Sequence, residues 1–256
     1  MPSPSGFLLA ESYGSVKVSS LIDLDNFGFC LGFVEMRGVE GDALVAAYLV
    51  WNQVKFAPVD RRRAEGLRKQ GFSVLDSKKI LEELICKRFV AFNLADVFVA
   101  PANRDIQEAF SEVDIFLASS GSTSKTLAFY GFSYSQIFQH SKLVAESLDL
   151  EIFKNLRLVL PVSYVYGLSS LIAAIIAGLD VIDCTGKGLM PDGLIEQKAR
   201  NSTSRGSGPT VLPLVPSLIR SFIRKPDLLA RCLPNVTAIS FAGGSFLLKE
   251  AVELKK

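Results

Sequence analysis

The chain has 256 residues, of which 49% are hydrophobic and 21% are charged, and its formal net charge is +2. This length and composition exclude a disordered chain and are typical of a globular protein with a large core. The small net charge gives no reason to expect a nucleic-acid partner or an acidic membrane surface. Residues 1–4 lack the basic start and apolar run of a secretory signal, so we expect a cytoplasmic protein.

Apolar runs of strand length alternate with segments of helical periodicity along the chain. This pattern predicts an α/β protein with mostly parallel sheets flanked by helices. In the first half we predict strands at 28–34, 54–59, 89–92, 97–100 and 114–118. We predict helices at 42–54, with Leu44, Tyr48 and Trp51 on one face, and at 79–88, with Ile80, Leu81, Leu84 and Ile85 facing inward. The cluster Arg61–Arg63 is typical of a solvated helix start.

The second half continues the same alternation. Strands are predicted at 156–160, 181–184, 210–215 and 236–241. Helices are predicted at 136–147, capped by Ser135 and with Ile137, Val144 and Leu148 inward, at 168–177, ended by Gly178, and from Pro216 onward. Residues 197–208 are predicted to form a polar loop.

Residues 158–179 contain no charged side chain and are long enough to suggest a membrane span. Pro161 interrupts the run, serines dilute it, and the Tyr-Val-Tyr-Gly stretch at 164–167 is typical of a turn. We therefore predict a strand, a loop and a buried helix here, and no membrane span. The four cysteines, which we expect to be reduced and buried, are far apart and lack metal-site spacing: Cys30, Cys86, Cys184 and Cys232.

Residues 119–126 follow the predicted strand 114–118 and consist almost entirely of small hydroxyl residues, one glycine and one lysine. Backbone N–H groups, hydroxyls and the Lys125 ammonium group can converge on one point in such a loop, which suits a polyphosphate. The segment is not a Walker A loop, because Ser124 and Ser119 stand where that motif needs glycine. From these residues alone, an ordinary polar loop with hydroxyl-stabilised turns is an equally good interpretation.

Five segments, in the right order, resemble the acyl-AMP-forming ligases, which include acyl-CoA synthetases, luciferases and the adenylation domains of peptide synthetases. Residues 119–125 resemble the phosphate-binding signature of this family, a Ser/Thr-Ser-Gly-Ser/Thr-Thr-Gly-Lys core. Residues 160–168 resemble a second signature, in which Leu-Pro leads through aromatic residues to Gly-Leu. Residues 48–60 are similar to a helix–strand unit ending in Val-Pro-Leu-Asp, 209–216 to a strand and helix start, and 241–246 to a Gly-Gly turn.

The resemblance implies that the carboxylate of a small-molecule carboxylic acid attacks the α-phosphorus of ATP. An acyl adenylate and pyrophosphate result, and the thiol of coenzyme A or of a carrier protein then takes the acyl group. ATP with Mg²⁺ is the implied cofactor, and no metal-ligating residue is assigned in this chain. The implied phosphate contacts are Ser119, Ser120, Gly121, Ser122, Thr123, Ser124 and Lys125, with Lys125 and Thr123 as the catalytic residues. Gly243, Gly244 and Ser245 would border the adenine, and Tyr164, Tyr166 and Gly167 would line the acyl pocket.

The chain departs from the family pattern at several positions. In the phosphate loop, Ser124, Thr126 and Leu127 replace the usual glycine, proline and second lysine. Tyr164 stands where many members carry the histidine that gates the carboxylate pocket, while the single histidine, His140, is expected to be a helix-surface or packing residue. These departures favour an alternative, a non-catalytic module that binds acyl groups or adenine nucleotides. A third hypothesis is an unrelated α/β nucleotide-binding protein with a coincidental serine-rich loop.

The Tyr-Gly-x-Thr-Glu segment of the family, its ribose-binding aspartate and its C-terminal domain with a catalytic lysine have no counterpart before Lys256. Residues 1–256 are therefore predicted to be a partial N-terminal domain that could be subdivided near residues 105–115. We expect such a chain to have little activity alone and to need a complementing C-terminal ligase subunit.

Overall fold

Two β-sheets form the framework of the computed structural model, which describes residues 4–10, 13–22, 29–86, 108, 110–118, 129–185, 208–224 and 236–242. The strands are β1 (Phe7–Ala10), β2 (Gly14–Lys17), β3 (Cys30–Glu35), β4 (Lys55–Val59), β5 (Val74–Asp76), β6 (Ile115–Ala118), β7 (Phe129–Phe132), β8 (Asn155–Leu158), β9 (Asp180–Asp183), β10 (Thr210–Leu214) and β11 (Val236–Phe241). The helices are α1 (Asp42–Trp51), α2 (Arg61–Lys69), α3 (Ser77–Cys86), α4 (Tyr134–Ser147), α5 (Val165–Ala177) and α6 (Pro216–Ile223).

Both sheets are mostly parallel, which confirms the predicted fold class. One sheet has the strand order β11-β10-β8-β9-β1-β2 and the other β5-β3-β4-β6-β7. Among the strands that the structure describes, antiparallel pairing is confined to the edges: β2 pairs with β1, and β7 pairs with β6. All other pairs are parallel, as expected where a helix connects successive strands.

A single apolar cluster contains residues from both sheets together with helices α1, α4 and α5. Leu8 and Leu158 of the first sheet and Leu31 and Phe56 of the second all belong to it and are at most 1% exposed. Every residue of α1 is buried, because this helix lies among elements of both sheets instead of covering one of them. The prediction of a single inward face on this helix was therefore too narrow. Burying a Leu-sized side chain contributes about 1.5–3 kcal/mol, so α1 is a main source of stability.

Local hydrogen bonds and backbone conformation fix the ends of three helices. The cap of α4 is Ser133 and not Ser135, because the Ser133 side chain accepts from the Gln136 N–H while the Gln136 side chain accepts from the Ser133 N–H. Gly178 ends α5 in the left-handed conformation, as predicted. Helix α2 begins at Arg61, which confirms that the arginine cluster is a helix start.

Residues 155–177 confirm the predicted strand and buried helix, since β8 is followed by α5 after a short connection. The turn predicted at 164–167 was wrong, because Tyr164 is the N-cap of α5 and the helix begins at Val165. Within the described ranges, no helix combines the length and apolar character that crossing a bilayer requires.

Three side chains that the sequence placed in the interior are exposed instead: Ile85, Leu148 and Cys86. Each lies at or near the end of a helix, where the helix leaves its packing partners. Cys30, Cys86 and Cys184 carry free thiols, as predicted, but Cys30 is only partly buried and Cys184 alone of these three is in the interior. The strands predicted at 89–92 and 97–100, the loop predicted at 197–208 except for Gly208, and Cys232 lie outside the described residues.

Candidate functional site

Strand β6 ends at Ala118, directly before the segment predicted to bind phosphate. It runs parallel to β4, which in turn runs parallel to β3, so all three strands end at the same edge of their sheet. Ligands in open α/β sheets bind at the carboxyl ends of parallel strands. Residues Ser119, Ser120, Gly121, Ser122, Thr123, Ser124 and Lys125 lie outside the described residues, as do Gly243, Gly244 and Ser245. Their assigned roles stay predictions.

Tyr164, predicted to line the acyl pocket, contacts the residue that follows β4. Its hydroxyl donates to Asp60 Oδ2 at 3.3 Å, and the guanidinium carbon of Arg63 lies 5.6 Å from the centre of its ring. Asp60 is the cap of α2, accepting from the Arg63 N–H at 2.9 Å and forming an ion pair with Arg63 Nη1 at 2.8 Å. Burial, followed by the negative charge of Asp60, raises the pKa of the Tyr164 phenol. Tyr164 is therefore a neutral hydrogen-bond donor at physiological pH.

Tyr166 points toward the other sheet. Its hydroxyl lies 3.0 Å from the Ser240 hydroxyl on β11, the strand that leads to the predicted adenine segment. Burial raises the pKa of Tyr166, while the hydrogen bond to Ser240 opposes that shift. Residues 160–168 thus contact both the segment ending at Asp60 and the strand preceding residues 241–246.

Gly167 is required by the close approach of two backbone segments. A β-carbon at this position would lie 2.2 Å from the carbonyl oxygen of Pro161, far inside van der Waals contact. The first turn of α5 can therefore pack on the Leu160–Pro161 backbone only when residue 167 lacks a side chain. The role of Gly167 seen here is to fix the start of α5, on which Tyr166 is carried.

Arg37 and Arg68 form ion pairs with acidic side chains at the carboxyl ends of β3 and β5. Glu35 is 1% exposed; its Oε1 accepts from Arg37 Nε at 3.1 Å, and its Oε2 lies 2.6 Å from Arg68 Nη2. The second contact is an ion pair without aligned hydrogen-bond geometry. Arg37 also reaches Asp76 at 2.6 Å. This network joins β3, β5 and α2, and its charges balance internally, which favours a structural role over phosphate binding.

A buried carboxylate that the sequence analysis did not identify connects the two sheets. Asp183, at the end of β9, is 0% exposed and accepts from the N–H of Gly41, immediately before α1, at 2.9 Å. It also accepts from the Thr185 N–H at 3.0 Å and from the Tyr13 hydroxyl at 3.3 Å. Desolvation raises the pKa of Asp183 to about 6, and the hydrogen bonds from Thr185 and Gly41 limit the shift.

A second buried carboxylate lies at the start of α1. Asp42 accepts from the N–H groups of Gly38 and Val39 at 2.7 and 3.0 Å, and from the Ser77 hydroxyl at 2.7 Å. Burial raises the pKa of Asp42 although these three bonds lower it. Within the described residues there is no group of three or more His, Cys, Asp or Glu side chains able to hold a metal ion. We interpret both aspartates as structural residues, whose hydrogen bonds join separate elements of the fold.

A cavity of about 180 Å³ lies between α4 and α5, next to β6 and β7. Val165, Leu168 and Ser169 of α5 line it, and so does His140 of α4. The sequence analysis missed this cavity because its walls come from four elements that no local pattern brings together. His140, which we expected to be a helix-surface or packing residue, therefore also lines a concave site.

No protein-family model matches the sequence, and a search of curated proteins finds no match. Solved structures do match. The ATP-bound structure of MatB from Rhodopseudomonas palustris has a TM-score of 0.64 and 14% identity, covering 100% of this chain and 55% of that one. The O-succinylbenzoate coenzyme A synthetase MenE from Bacillus subtilis, in complex with ATP and a magnesium ion, has a TM-score of 0.61 and 15% identity, with coverages of 98% and 55%.

The complex of VinN with L-aspartate has a TM-score of 0.62 and 14% identity, covering 98% of this chain and 68% of that chain. At such identities the likeness shows the fold alone. The chain spans about half to two thirds of the length of these three proteins.

Proposed function

We propose that this chain, which has the fold of the N-terminal portion of acyl-AMP-forming ligases, takes part in ATP-dependent activation of a carboxylic acid. The observation that carries the proposal is that the second signature contacts one of the other similar segments directly and also contacts the strand that leads into another. Residues 160–168 contact Asp60, the end of the segment 48–60, through Tyr164, and they contact Ser240, just before 241–246, through Tyr166. The direct contact between residues 160–168 and the end of segment 48–60 supports the resemblance, which each sequence match alone supports only weakly.

In the proposed reaction, a carboxylate oxygen attacks the α-phosphorus of ATP, and the bond from that phosphorus to the bridging oxygen of the β-phosphate breaks. The products are an acyl adenylate and pyrophosphate. Catalysis of this kind depends on positioning and on stabilising charge. Lys125, Thr123 and the backbone N–H groups of residues 119–125 would stabilise the departing pyrophosphate, and Mg²⁺ bound with the nucleotide would neutralise charge on it.

Other residues would hold the rest of the substrates. Gly243, Gly244 and Ser245, which follow Ser240 closely in the sequence, would border the adenine. Tyr164, a neutral phenol held by Asp60, would present a fixed polar group at the acyl side. The proposed acceptor of the acyl group is the thiol of coenzyme A or of a carrier protein. A complementing C-terminal ligase subunit is the proposed protein partner.

Nucleotide binding tests the proposal directly. Isothermal titration of the purified chain with ATP and Mg²⁺ is expected to show one site, and replacing both Ser122 and Lys125 with alanine should weaken binding at least tenfold. The double variant Ser73→Ala, Lys79→Ala is the matched control, because both side chains are exposed and lie outside the five similar segments. Equal ATP affinity of the double variant and the wild type would refute the assigned phosphate loop. Pyrophosphate exchange with a panel of carboxylic acids then tests the chemistry.

A second candidate, a non-catalytic module that binds acyl groups or adenine nucleotides, is favoured by one observation. The Tyr164 hydroxyl donates to Asp60 and burial raises its pKa, so a neutral phenol stands where many ligases carry an imidazole. ATP binding without pyrophosphate exchange, even with a C-terminal ligase domain added in trans, would select this candidate.

A further inference from the structure

The cavity between α4 and α5 has a buried floor and an open rim. Leu117, Ile137 and Leu168 form an apolar floor and are at most 8% exposed. The rim residues are exposed: Gln136, His140 and Val165. A ligand in this cavity would therefore place an apolar part inward and could keep a charged part at the rim in water.

One buried polar atom in this cavity lacks a partner. Ser141 lines the cavity and is 0% exposed, and its Oγ has no hydrogen-bond partner among the described residues. Buried hydroxyls are nearly always hydrogen-bonded, and leaving one unpaired opposes folding. Ser163 is also buried and has no hydrogen-bond partner in the described part of the chain, but the cavity lining does not include it. Ser141 is thus placed to bond a polar atom that enters the cavity.

The cavity volume limits what can enter. An apolar cavity of about 150 Å³ in another protein binds benzene. The volume of about 180 Å³ here accommodates a six-membered ring with one or two further heavy atoms, and it is too small for a long alkyl chain.

We propose that this cavity binds the ring of a monocyclic aromatic carboxylic acid that carries a hydrogen-bonding ring substituent. The substituent bonds to Ser141, and the carboxylate stays at the rim beside His140. Leu117 is one residue from the end of β6, where the predicted phosphate loop starts, and Val165, Leu168 and Ser169 belong to or follow the second signature. The inference rests on the proposed function, because it assigns this ring to the acid that would be activated.

Binding of simple aromatic acids tests the inference without any turnover. Titrations of the full chain with 3-hydroxybenzoate, 4-hydroxybenzoate, benzoate and dodecanoate are followed by calorimetry and ligand-observed NMR. We expect at least one hydroxybenzoate to bind more tightly than benzoate, and dodecanoate not to compete. Ser141→Ala should weaken the hydroxybenzoate about fivefold, the effect of one hydrogen bond, and change benzoate by less than about twofold. The matched control Ser163→Ala should change neither.

A cavity-filling variant gives a second readout. Ser169→Leu places a larger apolar side chain in the lining and should weaken both aromatic acids at least tenfold, while thermal unfolding verifies that the variant is folded. Unchanged affinity in Ser169→Leu, or equal losses in Ser141→Ala and Ser163→Ala, would overturn the inference. ATP titrations of the same samples separate the two proposals. ATP binding without aromatic-acid binding overturns only the cavity assignment, whereas Ser169-dependent aromatic-acid binding without ATP binding overturns the ligase assignment.

Discussion

Replacing Asp183 with asparagine should change how the stability of the protein depends on pH. Asp183 is completely buried, and its pKa is raised from 3.8 to about 6. The raised pKa means that the folded state holds this proton more tightly than the unfolded state does. The resulting stabilisation is fully present below about pH 4 and is lost as the pH rises through 6. A shift of about two units corresponds to about 3 kcal/mol.

The free energy of unfolding of Asp183→Asn, minus that of the wild type, should therefore rise by about 2–3 kcal/mol between pH 4 and pH 7.5. Urea denaturation followed by the fluorescence of Trp51, the single tryptophan, which is 2% exposed, provides the measurement at each pH. Comparing two proteins at the same pH cancels the titration of groups that do not interact with Asp183, whereas Asp42, whose charge contributes to the raised pKa of Asp183, leaves a smaller residual contribution.

Asp149→Asn serves as the control, because Asp149 is exposed and already adopts a left-handed conformation that asparagine tolerates. Its difference from the wild type should stay within about 0.5 kcal/mol across the range. A flat difference for Asp183→Asn would refute the reasoning, since it would mean that this carboxyl group is hydrated in the folded protein.

Two further predictions concern single backbone and cap positions. Gly167→Ala should destabilise the protein by about 3 kcal/mol, because the new methyl group would lie 2.2 Å from a carbonyl oxygen. Gly66→Ala, in α2, should instead stabilise the protein by about 0.4–1 kcal/mol in the same urea titrations, because the new methyl group would meet no neighbouring atom within 4 Å. Ser133→Ala should cost about 1 kcal/mol by removing the cap of α4, whereas Ser135→Ala, on its exposed face, should stay within about 0.5 kcal/mol. Equal effects within either pair would contradict the structure.

The sequence predicted the fold class because buried parallel strands are apolar runs that stand out from their surroundings. Strands β4, β8, β9, β10 and β11 were found within one or two residues for this reason. The strands β1, β2, β5 and β7 were not predicted, since each has three or four residues and is only partly buried, so it carries little pattern. The cap of α4 could have been predicted, because the spacing of Ser133 and Gln136 fits a capping box.

Less of the candidate site than of the fold could be predicted from the sequence. Tyr164, Tyr166 and Gly167 were selected by resemblance, but their contacts with Asp60, Ser240 and the Pro161 backbone depend on the packing of the second signature against both sheets. The bond from Gly41 to Asp183 joins residues 142 positions apart, and no local pattern signals such a contact. The sequence therefore identified segments, while the pairing of their side chains required the tertiary structure.

The proposed function requires one nucleotide to lie between the segment after β6 and the segment after β11. Hydrogen-exchange mass spectrometry with and without ATP and Mg²⁺ tests it most directly. We predict slower exchange in peptides covering 117–128 and 239–246 at the same ATP concentration, with no change in α2. Protection of neither peptide at saturating ATP, or protection confined to other regions, would contradict the claim.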